Sequence, residues 1–219
     1  MRKPVAGIGI ALLVWTTSTG AFGQCNFFKP AEPERPHQTP IVPDYSSPTM
    51  TLQTIARGIA DKNATNGQAV YVGALADSLP TGTDGRAYHA FFDSTDLARH
   101  QSWDPNRDYN RTLEGTFYGD FVQLRTTPYE MTWEVFEPHG NDTGSASDSL
   151  LHRQYKVYQV ISGSRRLIAI GVADLYFVKS PAAVNRWVIT RWQDFRSPDA
   201  RPDISQDEAT LGSRRLDKQ

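Results

Sequence analysis

The chain has 219 residues, 39% apolar and 11% aromatic, enough for one globular domain with a core and extensions. Its 23 Lys and Arg against 24 Asp and Glu leave a net charge of −1, so neither nucleic acid nor a bare anionic membrane has an electrostatic claim on it. A single cysteine excludes an intrachain disulfide, and the fold must stand on its core alone.

In chain order, Arg2 and Lys3 form a positive start, and Val5 to Trp15 an apolar stretch too short to span a bilayer. Ala21-Phe22-Gly23 follows as a small-x-small site, which together reads as a signal peptide within residues 1–24, with cleavage before Gln24. Cys25 opens a second reading, an acylated cysteine that anchors the chain to a membrane; "FGQC" is a poor match to such a site, because Gln24 stands where a small residue is usual. Both readings predict export to the periplasm or cell envelope. Residues 25–46 are rich in Pro and polar side chains without periodicity, as in a disordered tether.

Ser47-Pro48 fits an N-cap followed by Pro at the first helical position. Leu52, Ile55 and Ile59 then predict an amphipathic helix to about Lys62, with a break over Asn63 to Gly67. A second helix through Ala69, Tyr71 and Leu75 stops before Pro80, and a strand is expected over Ala87 to Asp93. "STDLARHQSWDPNRD" reads as loop, and Tyr109, Leu113, Phe117, Phe121 and Leu124 as a third helix, interrupted at Gly115 or Gly119. From Tyr129 the period changes to two, giving strands over Tyr129 to Phe136, Leu150 to Ile161, Leu167 to Val178 and Arg186 to Phe195. The charged tail, 197–219, reads as loop with at most a short final helix. Helices, a strand, a helix and then antiparallel strands define an α+β class, a curved sheet with helices on one face.

The helix pair in "SPTMTLQTIARGIADKN" and "QAVYVGALADSL", the strand "AYHAFFD", and the closing "RLIAIGVADLYFVKS" and "RWVITRWQDF" resemble the NTF2-like superfamily, also called cystatin-like, ketosteroid-isomerase-like or SnoaL-like, over residues 47–196. The chain looks most like its exported, lipoprotein-like members. The resemblance implies a sheet curled into a cone around the N-terminal helices, with a pocket at its open end. It also implies one of two roles: isomerase or dehydratase chemistry with a pocket Asp, His or Tyr, or a binding or dimerising module without chemistry. A second copy would join through the sheet, and no cofactor is implied.

No phosphate loop, HExxH, CxxC or GxSxG is present. The histidines, His37, His89, His100, His139 and His152, have no metal-ligand spacing, so no metal is expected. His89 and Asp93 fall on one side of a strand; the catalytic reading is a base with its orienter, and the favoured structural reading is a strand histidine and a turn-capping Asp. Trp103, Tyr118, Trp133 and Tyr155 could line a pocket and stack on an apolar ligand, though such aromatics are more often plain core. Asp174 is a carboxylate inside the most apolar hairpin. The estimated register sets it opposite Thr190 or Arg191, which favours an Asp174–Arg191 ion pair over a catalytic acid. The function expected is thus a non-catalytic exported domain that binds a small apolar ligand or a protein partner. The alternative is an enzyme with Asp93, His89 or Asp174 as base and Tyr118 as polarising donor. A filled cone favours the first, an open one with a proton-hungry carboxylate the second.

Overall fold

The computed structural model describes residues 40–61, 64–77, 84–123, 125–200 and 209–217. The expected signal peptide, Cys25 and the tether up to residue 39 lie outside the described residues. The helices are α1 (Pro48–Ala60), α2 (Ala64–Gly73), α3 (Ser94–Arg99), α4 (Arg111–Tyr118) and α5 (Leu211–Leu216). The strands are β1 (His89–Phe91), β2 (Tyr109–Asn110), β3 (Tyr129–Val135), β4 (Thr143–Gly144), β5 (Asp148–Ile161), β6 (Ser164–Lys179) and β7 (Trp187–Arg196).

α1 starts as its sequence dictates. The Ser47 hydroxyl accepts from Met50 N at 3.2 Å, Pro48 occupies the first turn, and Leu52, Ile55 and Ile59 are buried. The folded part begins slightly earlier than Ser47: Tyr45 donates its hydroxyl to Val70 O at 2.7 Å and its carbonyl receives Trp187 N at 2.8 Å. α2 begins inside the expected break. Gly67 had read as a helix breaker, but it is where the two helices touch: a Cβ there would stand 2.7 Å from Gly58 O and 2.2 Å from the Tyr118 hydroxyl. α3 lies in the segment that read as loop, capped by Asp93, whose carboxylate accepts from Thr95 N at 2.7 Å. The third helix is shorter than its apolar spacing suggested; α4 gives way at Gly119 to a π-helical turn, Gly119–Gln123.

The strands join in the order β2-β1-β7-β6-β5-β3, with β4 beside β3 on the β5 edge. The sheet is mixed rather than purely antiparallel, because β1 runs parallel to β7. β5 and β6 turn through Ser162 and Gly163, both at positive φ, as a two-residue hairpin of this hand requires. Along β6, Ala173 and Leu175 face the helices and Asp174 and Tyr176 the opposite side, as the pleat demands. On the helix side Trp133, Tyr155 and Trp192 pack edge to face, and Trp133 Nε1 donates to Leu52 O at 3.0 Å. A strand pair bridged by a short helix, a connecting helix, and a long strand meander whose last strand returns beside the first make an α+β architecture. α5 belongs to this core and not to a free tail: Leu211, Arg215 and Leu216 are all buried.

Candidate functional site

The interior between helices and sheet is where a cone-shaped fold would keep a ligand. Here it holds charge. Asn110 caps α4, accepting from Thr112 N and Leu113 N, and the helical period then turns Glu114, Phe117 and Tyr118 inward. β7 brings Asp194 to the same face as Trp192. α5, capped by Thr210, delivers Arg215 between them. Arg215 Nε donates to Glu114 Oε2 at 2.9 Å and Nη2 to Oε1 at 2.8 Å, a bidentate pair in which both side chains are 0% exposed. The Tyr71 hydroxyl donates to Glu114 Oε1 as well. The guanidinium lies 4.4 Å from the Trp192 ring centroid and 5.5 Å from that of Phe117.

Asp194 is held less fully. Its Oδ1 accepts from the Tyr155 hydroxyl at 2.7 Å and its Oδ2 from Gly212 N at 2.5 Å, but Arg215 Nη1 stops 3.6 Å away and makes no hydrogen bond. Burial therefore prevails and pushes the Asp194 carboxyl up to about 7, against the pull of Arg215 and of the Tyr155 hydrogen bond. Burial works to lower the pKa of Arg215, but Glu114 and its neighbours outweigh it and hold it well above the ordinary range. Burial, reinforced by Glu114 or Asp194, raises Tyr71, Tyr88 and Tyr155 well above the usual phenol value, so they stay neutral, and Tyr71 and Tyr155 donate to those carboxylates.

Of the aromatics expected to line a pocket, Trp133 borders a groove with Met50, Ala56 and Met131, and the other three are engaged within the fold. Tyr118 donates to Gly58 O at 2.7 Å, Tyr155 ties Asp194 to α5 by accepting Leu211 N at 2.7 Å, and Trp103 sits with Phe92 and Tyr109 under Arg107. His89 and Asp93 do not act as a pair: His89 Nδ1 lies 2.6 Å from Asp108 Oδ1 and Asp93 is the cap of α3.

The expected Asp174–Arg191 pair does not form. A bulge in β7 at Thr190 shifts the ladder, so Asp174 faces Gln193 and Arg191 faces Tyr176. Arg191 instead donates to Gln193 Oε1 at 2.6 Å and lies over the Phe91 and Tyr176 rings. Asp174 turns the other way, to its direct cross-strand partner on β5, His152, and to His139. No metal was expected from the spacing of the histidines, yet tertiary folding brings these two and Asp174 together. Sequence reading passed over Glu114, Asp194 and Arg215. The available signal was the buried face of α4: a carboxylate between Leu113 and Phe117 needs a cation, and Thr210-Leu211 before Arg214-Arg215 is a capped helix start.

The nearest open space is a groove of about 580 Å³ between α2, α4 and β1–β2. Its walls are apolar, with Ala69, Val72 and Ala76, and its rim carries Arg111, whose Nη1 meets Asp77 Oδ2 at 2.8 Å.

No protein-family model matches the sequence, and no curated protein does. Several solved structures are similar at low identity. One is a Mycobacterium tuberculosis protein of unknown function, 9% identical, with a TM-score of 0.46 over 77% of this chain and 83% of that one. Another is an NTF2-like superfamily protein from Salmonella enterica serovar Typhimurium, 9% identical, TM-score 0.43, over 72% and 94%. An NTF2-like protein of unknown function from Pseudomonas putida is 11% identical, TM-score 0.43, over 75% and 92%. Likeness at this level concerns fold, not activity.

Two expectations follow from the interior. Arg215→Met leaves two buried carboxylates without a cation and should cost about 3–5 kcal/mol; adding Glu114→Gln should return much of that, as denaturant midpoints of the single and double variants will record. The second concerns pH. The Asp194 carboxyl is raised from 3.8 to about 7 on folding, so between these values the folded chain holds a proton that the unfolded chain has released. Its contribution is greatest in acid, falls as pH rises through that window, and stays lost above it. Asp194→Asn removes the dependence. The wild type should therefore lose stability relative to this variant between about pH 4 and 7 in parallel denaturation series.

Proposed function

We propose that the chain is an exported, non-catalytic NTF2-like domain that binds a small apolar ligand or a protein partner at the cell envelope. The observation that carries this reading is the filled interior. Glu114 and Asp194, the carboxylates a pocket base would have to come from, are 0% and 1% exposed and already engaged by Arg215, Tyr71, Tyr155 and α5. A general base must come within hydrogen-bond reach of a substrate proton, and no substrate atom reaches these oxygens. The isomerase or dehydratase reading retains one observation in its favour, the near-neutral proton affinity of Asp194. Its buried position argues against that use.

With the interior taken, ligand binding moves to the groove between α2, α4 and β1–β2, whose apolar walls and Arg111 rim suit a small apolar body with a polar end. An anionic naphthalene probe should bind the purified chain at micromolar concentration and brighten. Ala69→Trp, an exposed α2 position that lines the groove, should abolish binding at least tenfold without changing the melting temperature. A probe that never binds, or that binds both forms alike, removes the small-ligand reading and leaves the protein partner.

The start of the sequence supports export, through its charged n-region, apolar stretch and small-x-small site. Fractionation of cells that make the full chain should find it outside the cytoplasm, and Cys25→Ser should move it from the membrane to the soluble fraction. A wild type that is already soluble beyond the inner membrane supports cleavage before Gln24 instead.

A further inference from the structure

On the face of the sheet turned away from the helices, three ligating groups meet that no role above uses. His152 on β5 and Asp174 on β6 are direct cross-strand partners, so their spacing is set by the ladder. His139 ends a single 3-10 turn, Glu137–His139, in the β3–β4 connection, which folds back over them. The connection is pinned there. Phe136 N donates to His152 O at 3.0 Å, and Asp142 accepts from His152 N at 3.0 Å and from Arg153 at 2.7 and 2.6 Å. The His139 ring stands edge-on to Phe195, with centroids 4.8 Å apart, and to Phe136, at 5.1 Å. Both imidazole Nδ1 atoms point at one atom: His152 lies 2.7 Å and His139 2.9 Å from Asp174 Oδ1. One ligand atom from each residue falls within 4.8 Å of the others.

We propose that His139, His152 and Asp174 form a binding site for a divalent ion of the zinc class. Two imidazoles and one carboxylate are a nitrogen-rich set that suits zinc or a similar first-row ion. Magnesium and calcium want oxygen ligands and would be disfavoured. Ligands around a tetrahedral zinc at ~2.0–2.1 Å stand roughly 3.3 Å apart. Each ring would open from Asp174 by about half an ångström, while the ligand atoms, spread over up to 4.8 Å, would close toward that spacing by side-chain rotation. His152 is nearly enclosed, at 8% side-chain exposure, whereas His139 keeps 28% and Asp174 15%. The set is thus closed from the sheet side and open from the solvent side, where a fourth position remains for water or a partner's ligand. The phenyl rings of Phe136 and Phe195 fix the orientation of His139 and keep one flank dry. Bound there, an ion would cross-link three segments, β5, β6 and the β3–β4 connection.

The test uses the full chain without an affinity tag, stripped with chelator. Zinc titrated by calorimetry should bind with one equivalent at micromolar affinity or tighter and raise the melting temperature. Cobalt should give the visible absorption of a four-coordinate ion. His139→Ala, in a partly exposed turn outside the core, and Asp174→Asn should each weaken zinc at least tenfold, while His89→Ala, a surface histidine elsewhere, should leave it unchanged. His139→Ala should also keep the melting temperature of the stripped wild type, which separates a lost ligand from a lost fold. Absence of one-equivalent binding overturns the site. So does zinc binding that survives His139→Ala and Asp174→Asn, or a preference for magnesium or calcium over zinc.

Discussion

The fold depends on one guanidinium. Arg215 sits at zero exposure between two carboxylates, with bidentate contact to Glu114 and a looser approach to Asp194. Taking three ionisable groups out of water costs several kcal/mol per ion, and their attraction repays it only when the geometry is right. An apolar filling of the same volume would hold the core as well or better. What the charges add is specification. An apolar plug slides and rotates at little cost, whereas Arg215 meets Glu114 at only one depth and one rotation of α5. The N–H groups of Leu211 and Gly212 meet Tyr155 and Asp194 only in that same pose. Gly212 belongs to the same constraint, since a Cβ there would stand 2.9 Å from Asp194 Oδ2.

Much of the architecture was legible in the sequence, and where it was not there is a physical reason. The Ser47-Pro48 start and the change of period at Tyr129 are local signals, and each stands where its residues put it. Gly67 misled because a glycine at a helix crossing looks like one in a loop until the partner helix is known. α3 was hidden by its composition, its short capped turn being surrounded by turn formers. The interior was less legible than the frame. Glu114 and Arg215 are 101 residues apart, and no local pattern connects them. Asp174 was singled out as a charge in need of a partner, but its partner His152 is set by the β5–β6 ladder, and the β6–β7 register places Gln193 rather than Arg191 opposite it.

The sheet separates two kinds of polar group by face. Toward the helices, the buried carboxylates are committed to Arg215 and to backbone and tyrosine donors, and none is within reach of solvent. Toward the other side, Asp174 collects two imidazoles, groups that coordinate metals. An acidic residue in the apolar strand β6 is therefore not an anomaly of the core. Its neighbours Ala173 and Leu175 look inward, and Asp174 looks out onto a short turn that lies against it.

The position of Arg215 in the chain has a consequence in time. Synthesis delivers residues in order, so every strand of the sheet, through Arg196, exists before the cation that its interior requires. Until then Glu114 and Asp194 face an apolar hollow without a counter-charge, and a sheet that closed early would enclose them unpaired. Without α5 the core therefore lacks the cation that its two carboxylates share. Its contacts are long-range ones, which close slowly because the intervening chain must first be brought to order. A chain shortened before Thr210 would hold Glu114 and Asp194 without their guanidinium, and its core would be looser for it.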